Sequence, residues 1–290
     1  MSLVSLVLTV RPHESTSVPA ALGRAAHALL LARVAQVNPE LAHEMHTGSG
    51  KRPFTCSSLL GERKNGCVLA DKTYVVRYTA LTAQVADLLV SLFTPGEDIE
   101  LDGTRFQVVG AAHDPAVQPW ASRTDYATLS TAWLMAGRTP PARITLHFAS
   151  PTAFRSGDKA QVFPLPALVF GSLLDKWNAF APIALAEETR RFAAECLAVS
   201  RFEMKTHAAP FKSEGAVKFG AVGQATFSAL NRDAYWLSII NLLADYAHYA
   251  GVGVGTATGM GQCRRVAETD STGRAPSREG SSNHASPLYP

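Results

Sequence analysis

The chain has 290 residues, of which 47% are hydrophobic and 18% are charged, so it can bury a core in each of two ordinary domains. Its formal net charge of +3 is too small to indicate a partner by itself. The apolar start, Met1 to Val10, has neither the basic region nor the cleavage site of a signal peptide, and no apolar run approaches the roughly 20 residues of a membrane span. These features predict a cytoplasmic protein without a membrane segment.

The cysteines and histidines do not have the spacing of known metal or nucleophile motifs. Cys56, Cys67, Cys196 and Cys263 show no C-x-x-C pattern, which favours free thiols over zinc ligands or disulfides. The nine histidines are dispersed, without a His-x-x-x-His pair. No metal and no cofactor are predicted, and serine- or cysteine-hydrolase motifs are missing.

Residues 1–112 carry the patterns of alternating strands and helices. Ser2 to Arg11 is predicted as a strand covered on one face, because one of its two sides is wholly apolar. Pro19 opens a helix that runs to about Val37. The further predicted elements are strands over Pro53–Leu60 and Thr73–Thr79, with a hairpin-type turn at Asn65-Gly66 in a connection too long for a tight hairpin, a helix over Leu81–Phe93 and a strand over Arg105–Ala111. This βαββαβ order is the ferredoxin-like plan, which RNA-recognition modules share.

The rest of the chain predicts a linker, a second domain and a tail. Residues 113–141 contain four prolines and little periodicity, typical of a linker that packs on the domains. Residues 142–266 predict a second ferredoxin-like domain and so an α+β fold with two tandem βαββαβ units. Its predicted elements are a strand over Arg143–Ala149, a helix over Leu165–Phe180, strands over Ala193–Thr206 and Val217–Phe227, and a helix over Arg232–Ala250 with Asn231 as N-cap. Residues 267–290 are polar and patternless, which predicts a disordered tail.

A glycine-rich stretch follows the last predicted helix. Its glycines are Gly251, Gly253, Gly255, Gly259 and Gly261. Without a Cβ the backbone can take positive φ and approach a ligand closely. The stretch lacks the strand–loop–helix setting of a dinucleotide site and the final Gly-Lys-Ser/Thr of a P-loop. Because Arg264 and Arg265 follow, main-chain N–H groups and guanidinium charge would suit an RNA backbone; the alternative is a turn between a helix and a strand.

A histidine and several cations lie in the first half of the chain. Residues 46–78 hold six cations against two carboxylates, which indicates either a basic surface or an ordinary solvated face. Cleavage of RNA by its own 2′-hydroxyl requires a proton acceptor, a proton donor and a cation near phosphorus. His46 can serve as base or acid at neutral pH. The small residues Gly48, Ser49 and Gly50 make a mobile loop that could bring Lys51 or Arg52 towards it.

Several motifs together resemble the CRISPR-associated endoribonucleases that process repeat RNA. The similarity covers most of residues 1–266, and the motifs that carry it are His46, Phe54-Thr55 and the segments 150–155, 170–178, 199–203, 243–253 and 258–262. The resemblance implies that His46 is the catalytic histidine and that Lys51 or Arg52 stands at the place of a catalytic lysine. Many members also use a tyrosine on the first helix, which is missing here, so His27 or His43 is a candidate for that role.

The resemblance also implies an activity and partners. The expected function is a metal-independent endoribonuclease that cuts CRISPR repeat transcripts (pre-crRNA) into guide RNAs, leaving 2′,3′-cyclic phosphate and 5′-hydroxyl ends. A CRISPR interference complex is a candidate recipient of the product, and the chain is expected to be a monomer or homodimer. The alternative is a non-catalytic RNA-binding subunit of such a complex. Cations in segments that resemble the family's RNA contacts are Arg155, Lys159, Arg201, Lys205, Lys212 and Lys218.

Overall fold

The computed structural model describes residues 2–47, 50–135, 137, 139–157, 159–210 and 217–266, without the side chains of residues 209, 210, 217 and 218. The first half of this part holds a large antiparallel sheet with helices on one face and a separate two-stranded sheet. Its elements are β1 (Leu3–Pro12), β2 (Thr16–Ser17), α1 (Gly23–Val37), α2 (Pro39–Thr47), β3 (Phe54–Cys56), β4 (Cys67–Val68), β5 (Tyr74–Ala80), α3 (Ala83–Ser91), β6 (Asp98–Leu101) and β7 (Thr104–Ala112). The strand order β3-β5-β1-β7-β6 contains the four-strand core of a ferredoxin-like unit, with β6 added at the edge.

The second half repeats the plan. Its elements are β8 (Ser122–Thr124), α4 (Tyr126–Leu134), β9 (Arg143–Thr152), β10 (Phe154–Ser156), β11 (Lys159–Gln161), α5 (Pro166–Phe180), α6 (Glu188–Cys196), β12 (Leu197–Pro210), β13 (Val217–Ala229), α7 (Ala234–Ala250) and β14 (Cys263–Arg265). The sheet order β12-β13-β9-β14 has the same connectivity as the core of the first sheet. The predicted α+β class with two ferredoxin-like units is therefore confirmed.

Strand β1 is buried on both faces. As predicted, one side of the strand packs against the helices of the first half. The expectation of a single covered face is wrong, because Leu3, Ser5 and Val7 on the other side are also buried. Leu3 joins the core of the second half, and Val7 packs with Trp120 and Ala149. The face of the first sheet that carries no helices is thus a contact surface for the second half of the chain.

The linker segment 113–141 is more regular than its sequence predicts. It contains β8, which pairs with β1, and α4, which packs against α7. The side chain of Asp125 caps α4 by accepting a hydrogen bond from the Thr128 N–H at 2.8 Å. The division of the chain at residues 112 and 141 remains a prediction, and the predicted tail 267–290 lies outside the described residues.

Besides α4, two further helices were not predicted, and both have a local cause. Helix α2 begins after Asn38, whose side chain accepts from the Leu41 N–H at 3.0 Å, and Pro39 is its first residue. Helix α6 covers residues 193–196, which were wrongly predicted as the start of a strand. It buries only Thr189, Phe192 and Ala193, so its short apolar face is easily confused with strand alternation.

Two local predictions, the N-cap of α7 and the hairpin-type turn, are also corrected. The N-cap of α7 is Asp233, which accepts from the Tyr235 and Trp236 N–H groups; Asn231 instead accepts from the Asp233 N–H. A tight two-residue turn does occur at Asn65-Gly66, both with positive φ, because Lys64 and Cys67 exchange two main-chain hydrogen bonds. The turn therefore lies inside the long connection between β3 and β5.

Candidate functional site

The glycine-rich stretch 251–262 forms the connection between α7 and β14. All five of its glycines have φ between 59° and 99°, the left-handed region that favours glycine. Three of them also pack too closely for a side chain, because a Cβ would come within 2.2 Å of a carbonyl oxygen at Gly253 and Gly261 and within 2.8 Å of one at Gly251. These glycines are required by the fold, whatever the stretch binds.

Main-chain hydrogen bonds hold the stretch between the two sheets. On the first half, the Cys56 N–H donates to the Thr256 carbonyl at 3.0 Å and the Gly259 N–H donates to the Cys56 carbonyl at 3.1 Å. On the second half, Val254 donates to the Ala153 carbonyl at 2.9 Å and Gly261 donates to the Pro151 carbonyl at 3.1 Å. Both halves of the chain therefore determine the conformation of the stretch.

The outer part of the stretch leaves hydrogen-bond donors free. Among the described residues, the main-chain N–H groups of Gly255, Thr256 and Ala257 have no partner, and all three residues are partly exposed. Consecutive free N–H groups on one turn attract anions. We call residues 255–257 the donor turn.

A buried lysine supports the donor turn from behind. Lys176 on α5 is 8% exposed, and its Nζ donates to the carbonyls of Ala250 at 2.7 Å and Gly251 at 3.2 Å and to the Thr256 Oγ1 at 3.0 Å. It therefore caps the C-terminus of α7, where cations are favoured. Burial, followed by the charge of Lys51, lowers the pKa of Lys176 to about 7. Its position between Leu173 and Trp177 on a buried face was a signal that sequence reasoning missed.

The predicted catalytic residues lie on and after α2. His43 and His46 are one helical turn apart and exposed, with His46 in the last turn of the helix. Among the described residues, neither imidazole has a hydrogen-bond partner. Gly48 and Ser49 of the predicted mobile loop lie outside the described residues.

The two predicted cations have partners of their own. Lys51 Nζ is 3.5 Å from the Asp175 Oδ2, and Arg52 donates to the Met45 carbonyl at 2.6 Å, which fixes the guanidinium beside the end of α2. Asp175 also pairs with Arg190 at 2.5 Å. Since Lys51 and Asp175 are each about 40% exposed, their ion pair is weak and can open.

His27 on α1 brings the donor turn and the α2 residues into one neighbourhood. Its Nδ1 is 2.9 Å from the Ala257 carbonyl oxygen. Burial lowers the pKa of His27, and the charges of Arg52, His46 and Arg24 lower it further, whereas the Ala257 carbonyl raises it. These groups therefore lie within electrostatic reach of one imidazole, although residues 27, 46, 52 and 257 are far apart in the chain.

The remaining predicted RNA contacts lie elsewhere on the second half. Arg155 and Lys159 are exposed on the β10–β11 hairpin, and Arg201 and Lys205 are exposed on β12. Lys212 lies outside the described residues, and the side chain of Lys218 on β13 is not described. Four of the six cations thus lie on two strand pairs of the second half, β10–β11 and β12–β13.

The two arginines after the glycines are held by the protein. Arg264 donates to the Pro119 carbonyl at 3.1 Å, and its guanidinium lies 4.4 Å from the ring centre of Trp120. Arg265 pairs with Asp245 at 2.6 Å. Burial lowers the pKa of Arg264. Arg264 is the predicted RNA contact of the two arginines.

Arg77 connects the halves behind the site. It is 2% exposed in the middle of β5 and donates to the Ser5 hydroxyl at 2.8 Å, the Gln262 side chain and the His248 carbonyl. Burial lowers its pKa to about 9. Sequence reasoning counted Arg77 among surface cations; its place inside an otherwise apolar strand was the signal of a buried role.

Comparison with known proteins identifies the family. Residues 2–84 match the description "CRISPR Cas6 N-terminal domain" and residues 146–263 match "CRISPR-associated endoribonuclease Cas6". The chain belongs to the Cas6 family. Cas6 from Mycobacterium tuberculosis strain H37Rv is 30% identical over 128 residues, which are 42% of this chain. This chain spans only 38% of the length of that Cas6 in the match.

Solved Cas6 structures share the fold. One Cas6 product complex is 23% identical, covers 91% of this chain and all of its own, and has a TM-score of 0.75. A second Cas6 product complex is 26% identical over 92% of this chain and all of its own, with a TM-score of 0.72. A Thermus thermophilus Cas6 is 23% identical, and the match covers 91% of this chain and 98% of that Cas6, with a TM-score of 0.71. Among the described residues of this Cas6 family member, no helix is long and apolar enough to cross a membrane.

Proposed function

We propose that the chain is a metal-independent endoribonuclease that cleaves CRISPR repeat transcripts into guide RNAs. The observation that carries the proposal is the geometry around α1: His27 contacts the donor turn, and α1 packs against α2, whose last turn holds His46 and whose Met45 carbonyl accepts from Arg52. This neighbourhood offers the three things that cleavage by a 2′-hydroxyl needs: proton-transfer groups, positive charge and fixed N–H donors for a phosphate oxygen. The match of residues 146–263 to the description "CRISPR-associated endoribonuclease Cas6" supports RNA as the substrate.

The proposed chemistry gives each group of this neighbourhood a role. The donor turn and Arg52 hold a nonbridging oxygen of the scissile phosphate and stabilise the charge that develops on phosphorus. A 2′-oxygen loses its proton and forms a bond to phosphorus, while the bond to the 5′-oxygen breaks and that oxygen gains a proton. His46, exposed at the end of α2, is one of the two proton-transfer groups. The products are a 2′,3′-cyclic phosphate and a 5′-hydroxyl.

The exposed cations of the second half would bind the rest of the RNA. Arg155, Lys159, Arg201 and Lys205 stand on the β10–β11 hairpin and on β12, away from the histidines in the chain. Phosphate contacts of this kind position the RNA without selecting its sequence. They also make affinity depend on salt while leaving the chemical step to the neighbourhood of His46.

One experiment tests the proposal. End-labelled repeat RNA is incubated with excess protein in EDTA, together with a matched RNA that carries a single 2′-deoxyribose 5′ of the scissile phosphate. We expect one cut in the first RNA, none in the second, and equal binding of both. Fragments that end in a 5′-phosphate and a 3′-hydroxyl, or cutting of the deoxy RNA, would refute the mechanism. Binding without any cut would favour the alternative, a non-catalytic RNA-binding subunit.

A further inference from the structure

Lys176 is a buried cation without an opposite charge beside it. It is 8% exposed on α5, and among the described residues no carboxylate forms an ion pair with it. Asp175, the preceding residue, pairs instead with Lys51 and Arg190. A buried charge is costly unless an opposite charge compensates it. An anion that binds near Lys176 would therefore stabilise its charged form.

The hydrogen-bond partners of Lys176 depend on its protonation state. Its Nζ has three acceptors, the carbonyls of Ala250 at 2.7 Å and Gly251 at 3.2 Å and the Thr256 Oγ1 at 3.0 Å. An ammonium group has three hydrogens, one for each acceptor. A neutral amine has two hydrogens and a lone pair, so the two carbonyls take both hydrogens and the Thr256 hydroxyl donates its own hydrogen to the lone pair. The proton on Lys176 thus sets the direction of the Thr256 hydroxyl.

The direction of this hydroxyl matters to the donor turn. Thr256 is the middle residue of the turn, and its own N–H is one of the three free donors. Among the described residues, its Oγ1 has no hydrogen-bond partner besides the Lys176 Nζ, and the residue is partly exposed. When the ammonium donates to Oγ1, the hydroxyl hydrogen is available to an oxygen of a bound phosphate. The donor turn then has four donors in place of three.

The surroundings of Lys176 favour the neutral amine when no anion is bound. Burial, followed by the charge of Lys51, lowers the pKa of Lys176 to about 7, although Cys263 on β14 raises it. The Cys263 thiol is itself neutral, because burial raises its pKa. The atoms that accept from Nζ are main-chain carbonyl oxygens and a hydroxyl oxygen, none of which is charged. Above pH 7 most of the free protein therefore holds a neutral Lys176.

We propose that Lys176 is a positioning residue for RNA binding and that a phosphate binds the donor turn together with the uptake of one proton by the Lys176 Nζ; this inference rests on the proposed function. The phosphate supplies the missing negative charge, and the ammonium leaves the Thr256 hydroxyl hydrogen to the phosphate. Lys176 stays behind the turn and does not touch the RNA. At a pH below about 7 the lysine is already protonated, so its contribution to affinity is complete; this contribution is lost as the pH rises.

Proton uptake is measured with wild type and Lys176→Met. Both bind an uncleavable repeat RNA that carries 2′-deoxyribose 5′ of the scissile phosphate, and titration calorimetry at about pH 8, in two buffers of different ionisation enthalpy, counts the protons. We expect uptake by the wild type and little by Lys176→Met. Between about pH 6 and pH 9 the wild type should lose about tenfold more affinity than Lys176→Met, because each unit by which binding raises a pKa is a factor of ten. The histidines titrate in both proteins, so the comparison removes their effect.

A pair of threonine variants tests the role of the hydroxyl. Thr256→Val and Thr258→Val each remove one hydroxyl from the glycine-rich stretch and keep the branched shape. The Thr258 hydroxyl donates to the Gly255 carbonyl at 3.2 Å and not to Lys176. At about pH 6 we expect Thr256→Val to bind RNA about two- to tenfold more weakly than Thr258→Val, the usual worth of one hydrogen bond. The difference should shrink at about pH 9, where the neutral amine takes the Thr256 hydrogen in the wild type.

The outcomes separate this inference from the proposed function. RNA binding by the wild type without proton uptake, or equal uptake by Lys176→Met, would overturn the inference while the proposed function stands. Equal affinities of Thr256→Val and Thr258→Val at the lower pH would overturn it too. If Lys176→Met does not fold, proton uptake by the wild type and the threonine pair decide. A wild-type protein that neither binds nor cuts repeat RNA would overturn both.

Discussion

Replacing glycines of the 251–262 stretch by alanine should separate packing from RNA binding. The structure offers a matched pair: Gly261 and Gly66 have similar φ, 69° and 78°. A Cβ at Gly66 would meet nothing within 4 Å, whereas one at Gly261 would lie 2.2 Å from the Val252 carbonyl oxygen. Both variants have the left-handed strain of an alanine, and only Gly261→Ala must also move the main chain.

The magnitudes follow from these two terms. Left-handed backbone costs an alanine about 1–2 kcal/mol, so Gly66→Ala should lose about that much of the free energy of unfolding. Gly261→Ala should lose a further amount of about 1–3 kcal/mol, the usual range for forcing extra volume into a packed site. Gly255→Ala should fall between them, because its nearest neighbour is the flexible Met260 side chain, with Sδ at 3.1 Å.

Urea unfolding and RNA binding are measured on the same three variants. Gly255→Ala should fold and lose RNA affinity, since its methyl group stands on the donor turn, whereas Gly66→Ala should bind as the wild type does. Equal stability losses in Gly261→Ala and Gly66→Ala would refute the packing argument. Wild-type affinity in a folded Gly255→Ala would reduce the donor turn to a structural feature.

The other predictions concern the catalyst, the buried cations and the surface. His46→Ala should lose about 10² or more in single-turnover rate with little change in RNA affinity; an unchanged rate would contradict its role. The pKa of Lys176 is about 7 in the folded protein against an ordinary 10.5, so between these pH values the unfolded chain binds more protons than the folded one. The free energy of unfolding of the wild type should therefore rise with pH in this range relative to Lys176→Met, by up to about 1.4 kcal/mol per pH unit. Parallel urea titrations of both proteins at pH 7 and 9 check this. Arg77→Met should lose about 3 kcal/mol or more of unfolding free energy because buried acceptors are left unpaired; chemical denaturation measures it. Arg201→Ala and Lys205→Ala should each lower the slope of log affinity against log salt by about one unit and leave the saturated rate unchanged.

Much of the fold was predictable from local pattern, and its departures have both local and non-local causes. Periodicity in a sequence shows which side of an element is buried against one partner. It was sufficient for the strand β1 and for the helices α1, α3, α5 and α7. Whether the second side of β1 is open depends on the other half of the chain, about which the pattern carries no information. Helix α2 could have been found from Asn38 and Pro39, whose capping roles are local.

The parts of the candidate site could be proposed from the sequence, whereas their assembly could not. Residue types marked the glycines and His46 as candidates, but the hydrogen bond from His27 to Ala257 spans the chain. The use of Arg264 is equally non-local, because Trp120, on which it lies, comes from the linker segment. Glycine content likewise could not show which main-chain N–H groups of the 251–262 stretch donate hydrogen bonds within the protein and which three are left without a partner.

The hydrogen bonds between Cys56 and the glycine-rich stretch have a consequence for synthesis on the ribosome. The first sheet has all its strands except β8 by Ala112, so it can fold while the rest of the chain is still being made. The donor turn, by contrast, is held by residues of both halves and closes contacts across some 200 positions, which form late. A nascent chain that has exposed His27 and His46 therefore lacks the Ala257 carbonyl that orients His27, and the three free N–H groups of the donor turn, until residues 251–265 emerge and dock.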